Sequence, residues 1–241
     1  MKTYGATDVG MVRTSNQDIF KNTVLDENTV LSIVCDGMGG AKAGNVASNM
    51  AAEIITDYIV KSYTPQMTAL SMENLLKTAV NSANLEIYKT ACNDLNLKGM
   101  GTTVVAALVR DGIAYVSHVG DSRAYIIEND TMRQITRDHS VIQDLIEGGH
   151  ITAEEAKNHP EKNIITRAVG TRENVIVDFV EENIGEGVLL LCTDGVTNAL
   201  TDDAIRLVFE ENELNNVAEK LIQTANENIS NDNVTVTLVS R

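Results

Sequence analysis

The sequence predicts an α+β fold in which mainly antiparallel sheets pack as a sandwich and helices cover them. Three observations carry this. Short apolar runs arrive in hairpin-linked groups rather than as alternating strand–helix–strand units. Paired amphipathic helices separate those groups. The 241 residues are 43% apolar, 22% charged and 4% aromatic, a globular composition without low-complexity or proline-rich tracts, so one domain is expected over 1–241.

Strands are expected at Lys2 to Thr7 and at Asn28 to Cys35. In the second, Val30-Leu31-Ser32-Ile33-Val34-Cys35 is β-branched and nearly all apolar, as a buried central strand is, and Asp36-Gly37 ends it. From Gly44 to about Tyr63, Val46, Met50, Ile54 and Tyr58 step by four along a wide helical face. A second helix follows Ser71 as its N-cap, with Leu76, Val80, Ala83, Ile87 and Ala91 as its stripe. A meander comes next: Thr102 to Val109, Ile113 to Val119, Arg123 to Glu128 and Thr131 to Ile135. Its links are Asp111-Gly112, a type I′ signal, then Gly120-Asp121-Ser122 and Asn129-Asp130, short enough that neighbours are expected to pair antiparallel.

Between His139 and Pro160 a small helical insertion is expected, with Thr152 and Glu155 as a capping box. Strands return at Val175 to Glu181 and Gly187 to Thr193. Helices at about Asp202 to Glu211, capped by Thr201, and Asn216 to Asn228 precede a last strand, Asn233 to Ser240.

Charge narrows the partners. There are 34 acidic against 19 basic residues, a net −15. Nucleic acid and anionic membrane surfaces both require a basic face, so neither is an expected partner. The N-terminus carries no signal-peptide pattern and no stretch approaches ~18 apolar residues, which points to a cytoplasmic protein. Strong self-repulsion makes a monomer the simplest expectation. Cys35, Cys92 and Cys192 are odd in number and widely spaced, against a disulfide framework or a Cys-x-x-Cys site, and buried thiols are expected. His118, His139, His150 and His159 never fall at helical zinc-ligand spacing.

The chemistry lies in aspartates at strand ends. Asp36, Asp121 and Asp194 each follow an apolar run, and Asp232 immediately precedes one. One such residue is ordinarily a turn former. Four gathered at one mouth of a sandwich would repel, and hard divalent cations relieve such repulsion. With no histidine or cysteine pattern beside them, magnesium or manganese is favoured over zinc. The glycines of Asp36-Gly37-Met38-Gly39-Gly40 allow close backbone approach, and Arg13, in a polar loop, offers a planar fork suited to phosphate oxygens.

Together these segments resemble the metal-dependent protein phosphatases of type 2C, particularly the short bacterial serine/threonine phosphatases. The likeness runs in order through Arg13 with Ser15-Asn16-Gln17-Asp18, Val34 to Gly40, Gly101-Thr102-Thr103, His118 to Arg123, Asp138-His139-Ser140, Thr166 to Gly170, Cys192 to Val196, and Asp232 to Thr235. It implies a four-layer α-β-β-α sandwich and hydrolysis of phosphoserine or phosphothreonine by a metal-activated water, without a phosphoenzyme. Two ions, Mn2+ or Mg2+, are implied. Asp36 would bridge them, the Gly37 carbonyl would ligate one, and Asp194 with Asp232 would ligate the other. Asp121 and Asp194 match a pair holding a third, weaker ion. Arg13 matches the phosphate-binding arginine, Asp18 an outer acid that orients metal-bound water, and 139–167 a flap beside the site. Phosphorylated proteins, including a serine/threonine kinase and its targets, are the implied partners.

Three positions bear on the match. Met38 is shared with bacterial relatives, whereas Ala41 and Asn45 replace a histidine and a glutamate common among them. Those departures motivate a competing reading, a catalytically silent phosphoprotein-binding or sensor domain. A third reading, a metal phosphodiesterase or small-molecule phosphatase, differs only in substrate.

Overall fold

The computed structural model describes residues 1–40, 43–129, 131–156 and 159–241. Two antiparallel sheets form its centre. The first has the order β1 (Lys2–Asp8), β11 (Val234–Ser240), β10 (Val188–Cys192), β7 (Arg123–Glu128) and β8 (Thr131–Gln134). The second runs β2 (Asp18–Asp26), β3 (Thr29–Met38), β5 (Val104–Arg110), β6 (Ile113–Val119) and β9 (Asp178–Asn183), with the short β4 (Gly101–Thr102) against the end of β3.

Strand alternation sorts side chains into three apolar layers. Val30 and Val34 of β3 point inward with Val105, Val116, Ile126, Leu189, Leu191 and Val239, filling the space between the sheets. Leu31, Ile33 and Cys35 point outward, beneath α1 (Ala43–Ser62) and α2 (Ala69–Asn93), where they meet Ile55, Ile59, Leu76, Val80 and Ile87. Leu190, Cys192, Val236 and Leu238 face the other way, under α6 (Asp202–Glu211) and α7 (Leu214–Glu227). The α-β-β-α layering follows, and it explains why β3 reads as unbroken apolar sequence: both its faces are covered.

Several boundaries differ from expectation. Strand β2 was not anticipated: Lys21, Asn22 and Thr23 interrupt its apolar pattern because most of it is only half-buried. Strand β3 continues through Asp36 to Met38 because Gly37 and Met38 pair with β4. Helix α2 begins at Ala69, two residues before Ser71, since Thr68 is the cap and accepts from the Ser71 backbone N–H at 3.2 Å. Strand β9 starts at Asp178 rather than Val175, and a one-turn helix, α5 (Asp194–Thr197), follows β10. Cys92 is exposed rather than buried, while Cys35 and Cys192 are buried and all three thiols are free.

The meander expectation fails at one link, and that failure matters. Asp111 and Gly112 both have positive φ, as a type I′ turn requires, and β5 pairs with β6. Strands β6 and β7 do not pair. At Gly120, with φ +110°, the chain leaves one sheet and enters the other, so Asp121 stands where the two sheets part. The Asn129-Asp130 turn falls partly on Asp130, which is outside the described residues, as is Ala41. In the insertion, α3 (Val141–Glu147) is capped by Ser140, and α4 (Ala153–Ala156) carries the expected box, with Thr152 N–H to Glu155 Oε2 at 2.8 Å and Glu155 N–H to Thr152 Oγ1 at 3.3 Å.

Candidate active site

Where the sheets part, the strand ends line a cleft of about 720 Å3 whose walls include Arg13, Asp36, Gly37, Asp121, Asp194 and Asp232. Strand β3 delivers Asp36, the β6–β7 crossing delivers Asp121, and the first turn of α5 delivers Asp194. Asp232 comes from the loop before β11, where its Oδ1 accepts the Asn233 backbone N–H at 2.8 Å. Asp18 is buried directly across the β2–β3 ladder from Asp36. All seven residues singled out from the sequence therefore meet at or beside one cleft.

The charges of this group are only partly compensated. Asp18 Oδ2 accepts from Thr193 Oγ1 at 2.8 Å and Asp194 Oδ2 accepts from Asn198 Nδ2 at 3.0 Å, but Oδ1 of each is buried without a partner. Burial, followed by the charges of Asp194 and Asp232, pushes the Asp18 carboxyl up to about 7. Burial and the Asp194 charge push Asp121 up to about 7. Burial and Asp232 push Asp194 up to about 6. Asp36, half-buried at the cleft floor, is raised well above the ordinary carboxylate range by desolvation and by the charges of Asp18, Asp194, Asp121 and Asp232. An all-oxygen donor set that repels itself and leaves buried carboxylate oxygens unpartnered fits hard divalent cations.

Arg13 is exposed, and its Nη2 donates to Asp232 Oδ2 at 2.7 Å. A cation thus borders the acidic cluster, at its rim. Gly37 is hemmed in: its N–H donates to the Gln17 carbonyl at 3.1 Å, and a side chain there would meet the Gly44 backbone at 2.1 Å. Thr103 serves the same turn, donating through its backbone N–H to the Asp36 carbonyl at 2.8 Å and accepting the Asp36 N–H through Oγ1 at 3.0 Å. Asn45 has a tethering task, since its Nδ2 donates to the Asn16 carbonyl at 3.0 Å and fixes α1 to the loop after Arg13.

Sequence reasoning missed a second polar cluster. His118 and His139 stack at 4.9 Å between ring centroids, and one ligand-type atom from each lies within 4.8 Å of an Asp178 carboxylate oxygen. The three are far apart in sequence and share no motif, so only the β6–β9 pairing, with His118 opposite Asp178, could have brought them to notice. His139 Nδ1 accepts the Gly120 N–H at 3.0 Å and its own N–H donates to the Gly120 carbonyl at 2.9 Å, clamping the residue before Asp121. Arg167 Nη1 donates to Asp178 Oδ1 at 2.8 Å.

Comparison with known proteins places the chain in a family and matches its fold. The family model described as "Protein phosphatase 2C" matches residues 12–238. The chain is 40% identical over 240 residues to the serine/threonine phosphatase stp of Listeria innocua, covering 98% of this chain and 94% of that one. It is 37% identical to the protein phosphatase PhpP of Streptococcus pneumoniae, covering 97% and 95%. Among solved structures, serine/threonine phosphatase Stp1 from Staphylococcus aureus superposes with a TM-score of 0.93 at 36% identity, covering 100% of this chain and 94% of that one. The Mycobacterium tuberculosis serine/threonine phosphatase PstP/Ppp superposes with a TM-score of 0.89 at 30% identity, covering 99% and 97%.

Proposed function

The chain belongs to the protein phosphatase 2C family, and from that premise we propose that it hydrolyses phosphoserine and phosphothreonine in proteins in a reaction that depends on divalent cations and forms no phosphoenzyme. The observation that carries this reading is the convergence of Asp36, Asp121, Asp194 and Asp232 on one cleft, with an unpartnered buried carboxylate oxygen on Asp194 and on the neighbouring Asp18 and with Arg13 at its edge.

Asp36, the Gly37 carbonyl, Asp194 and Asp232 are the residues that would hold two ions, with Asp121 and Asp194 available to a third. Manganese or magnesium bound there supplies Lewis acidity that activates water and offsets phosphoryl charge. Arg13 orients the substrate through its free guanidinium donors, while Asp232 fixes the direction of the fork. Asp18 keeps one oxygen on Thr193, and its other oxygen is available to a water hydrogen near Asp36. The phosphorus–oxygen ester bond breaks, water contributes the new oxygen, and the products are the free hydroxyl residue and inorganic phosphate.

A covalent cysteine route has no support in this arrangement. Burial pushes the Cys192 thiol up to about 12 and Cys35 higher still, so neither supplies a thiolate at neutral pH. Segment 139–167, anchored at both ends where Thr166 N–H donates to the His139 carbonyl at 2.7 Å, is suited to act as a flap over the cleft, which Lys162, Asn163 and Ile165 also line. Phosphorylated proteins of the same cell, among them a serine/threonine kinase and its targets, are the proposed substrates, and the cytoplasm is the proposed location.

A phosphothreonine peptide assayed against increasing manganese or magnesium tests the reading. Phosphate release that rises with metal and stops with chelator is the expected result; release that persists in chelator contradicts it. An Asp194→Asn variant with wild-type turnover would instead support the silent-domain reading, and preference for nucleotides or sugar phosphates would support the small-molecule one.

A further inference from the structure

Helix α7 ends in an arrangement that an isoleucine fits poorly. Asn228 caps the helix, the Ile229 N–H donates to the Asn226 carbonyl at 2.9 Å, and the Ser230 N–H donates to the Ala225 carbonyl at 3.1 Å. These two bonds define the Schellman termination, whose left-handed position is ordinarily glycine. Ile229 occupies it with φ +59°, a conformation that crowds any Cβ and crowds a β-branched one most. Its side chain gains little from burial in return, being 68% exposed. A strained, exposed, apolar residue needs a reason outside the fold.

Its location supplies one. Ile229 lies on the wall of the catalytic cleft, three residues before Asp232. The adjoining loop, which brings Arg13 to the cleft, also exposes apolar side chains just outside its lining, Met11 at 65% and Val12 at 58%. The two loops are stitched together: Asn226 Nδ2 donates to Asp8 Oδ1 at 3.0 Å, Asn233 Nδ2 donates to the Val9 carbonyl at 2.9 Å, and Arg13 pairs with Asp232. A side chain at Gly10 would meet the Asp232 carbonyl at 2.1 Å, so the loops touch there. Exposed apolar groups therefore stand on both loops that meet at the arginine proposed to hold the phosphate.

We propose that Ile229, with Met11 and Val12, forms a specificity subsite for a large apolar side chain next to the phosphorylated serine or threonine of a protein substrate. The inference rests on the phosphatase reading and adds a sequence preference to it. A phosphate seated on Arg13 would bring the residues that flank it in a peptide toward these two loops, whereas a monoester without a peptide chain has no flanking residues to place there. The acidity of the chain disfavours acidic flanks, and the exposed apolar side chains of these loops add burial of apolar surface as a local attraction.

The test compares two phosphothreonine peptides, one with leucine on both sides of the phosphothreonine and one with glycine, with p-nitrophenyl phosphate as a reference that has no flanks. In the manganese-loaded wild type, kcat/KM for the leucine peptide, divided by that for p-nitrophenyl phosphate, should exceed the glycine ratio by roughly fivefold to tenfold. Ile229→Gly should bring the two ratios together without lowering Tm, because glycine suits the helix termination better. Ile229→Asn, a polar residue that tolerates the left-handed conformation, should do the same and guards against a change peculiar to glycine. Equal ratios in the wild type, or a leucine preference that survives both substitutions, would overturn the proposal. Unchanged ratios with a new oligomeric state would also overturn it, assigning the patch to a second copy. Failure to hydrolyse any of the three substrates with manganese present would instead overturn the phosphatase reading itself.

Discussion

Two clusters of ionisable side chains lie about the Gly120 crossing, and they solve the problem of buried charge in opposite ways. On the flap side, Asp178 faces His139 and Arg167, and burial, which alone would raise its carboxyl, is outweighed by those partners, which hold it below the ordinary value. Nearby, Arg123 grips Asp138 through Nε and Nη2 at 2.7 to 3.0 Å, with Gln134 adding a further donor. In the cleft, the aspartates face one another, and among the described residues the cations nearby, the exposed Arg13 at the rim, Lys162 on the wall and Arg123 behind Asp121, leave their carboxyls raised. In the first cluster each carboxylate is paired with a cation or imidazole, although His118 Nδ1 stays unpartnered; in the second the carboxylates outnumber their partners, which specifies what must bind. Incompletely compensated burial, rather than acidity alone, marks the site.

That contrast is open to direct attack, beginning where the effect should be largest. Asp194→Asn should lower kcat/KM on a phosphopeptide on the order of 10³-fold, while thermal unfolding of the metal-free protein should not be lowered, because a repelling charge has been removed. If the same substitution destabilised the fold strongly, the cleft would resemble the flap-side cluster and the distinction would fail. Arg13→Ala should cost roughly 10²-fold in kcat/KM with little change in Tm, since its partner Asp232 remains partly solvated. Asp138→Ala reverses the pattern: stripped of its partner, the largely buried Arg123 should destabilise the fold by about 2–3 kcal/mol in denaturant titrations, with any activity loss following stability.

The smallest of these effects concerns pH, and its sign is fixed by the cleft. Asp18, Asp121 and Asp194 titrate at about 7, 7 and 6 in the folded chain against a reference of 3.8. The folded protein therefore holds more protons than the unfolded chain across that interval, and stability in the absence of metal falls as pH rises through it. Melting temperature measured in chelator should decline between about pH 5 and pH 8, with manganese restoring most at the upper end. A rise over that range in chelator would mean that the carboxylates are better paired than their geometry indicates.

Much of this was legible in the sequence, for reasons that can be stated residue by residue. Asp36 and Asp194 were recognisable because each stands beside an apolar strand run and a glycine, and Arg13 because a guanidinium in a polar loop suits phosphate. The layered architecture was legible because β3 is apolar on both faces and α1 keeps a four-residue step. What stayed hidden depends on strand partners rather than on local pattern. Strand β2 was overlooked because it is half-buried and polar in its middle, yet it carries Asp18 to a point opposite Asp36. The β6–β7 link looked like a hairpin, since three residues around a glycine ordinarily make one, and only the sheet order shows that it is a crossing. His118, His139 and Asp178 form a cluster that no spacing announces. The role of Asn45 was equally invisible, because its partner is a backbone carbonyl 29 positions away.

The claim that the cleft is an incomplete site awaiting hard cations is tested most directly by calorimetric titration of the metal-free protein with manganese at about pH 6.5, in two buffers of different ionisation enthalpy. Saturable binding accompanied by release of protons from the cleft, with both signals much reduced in Asp36→Asn, is the expected result. Saturable binding without proton release, or no binding at all, would contradict it.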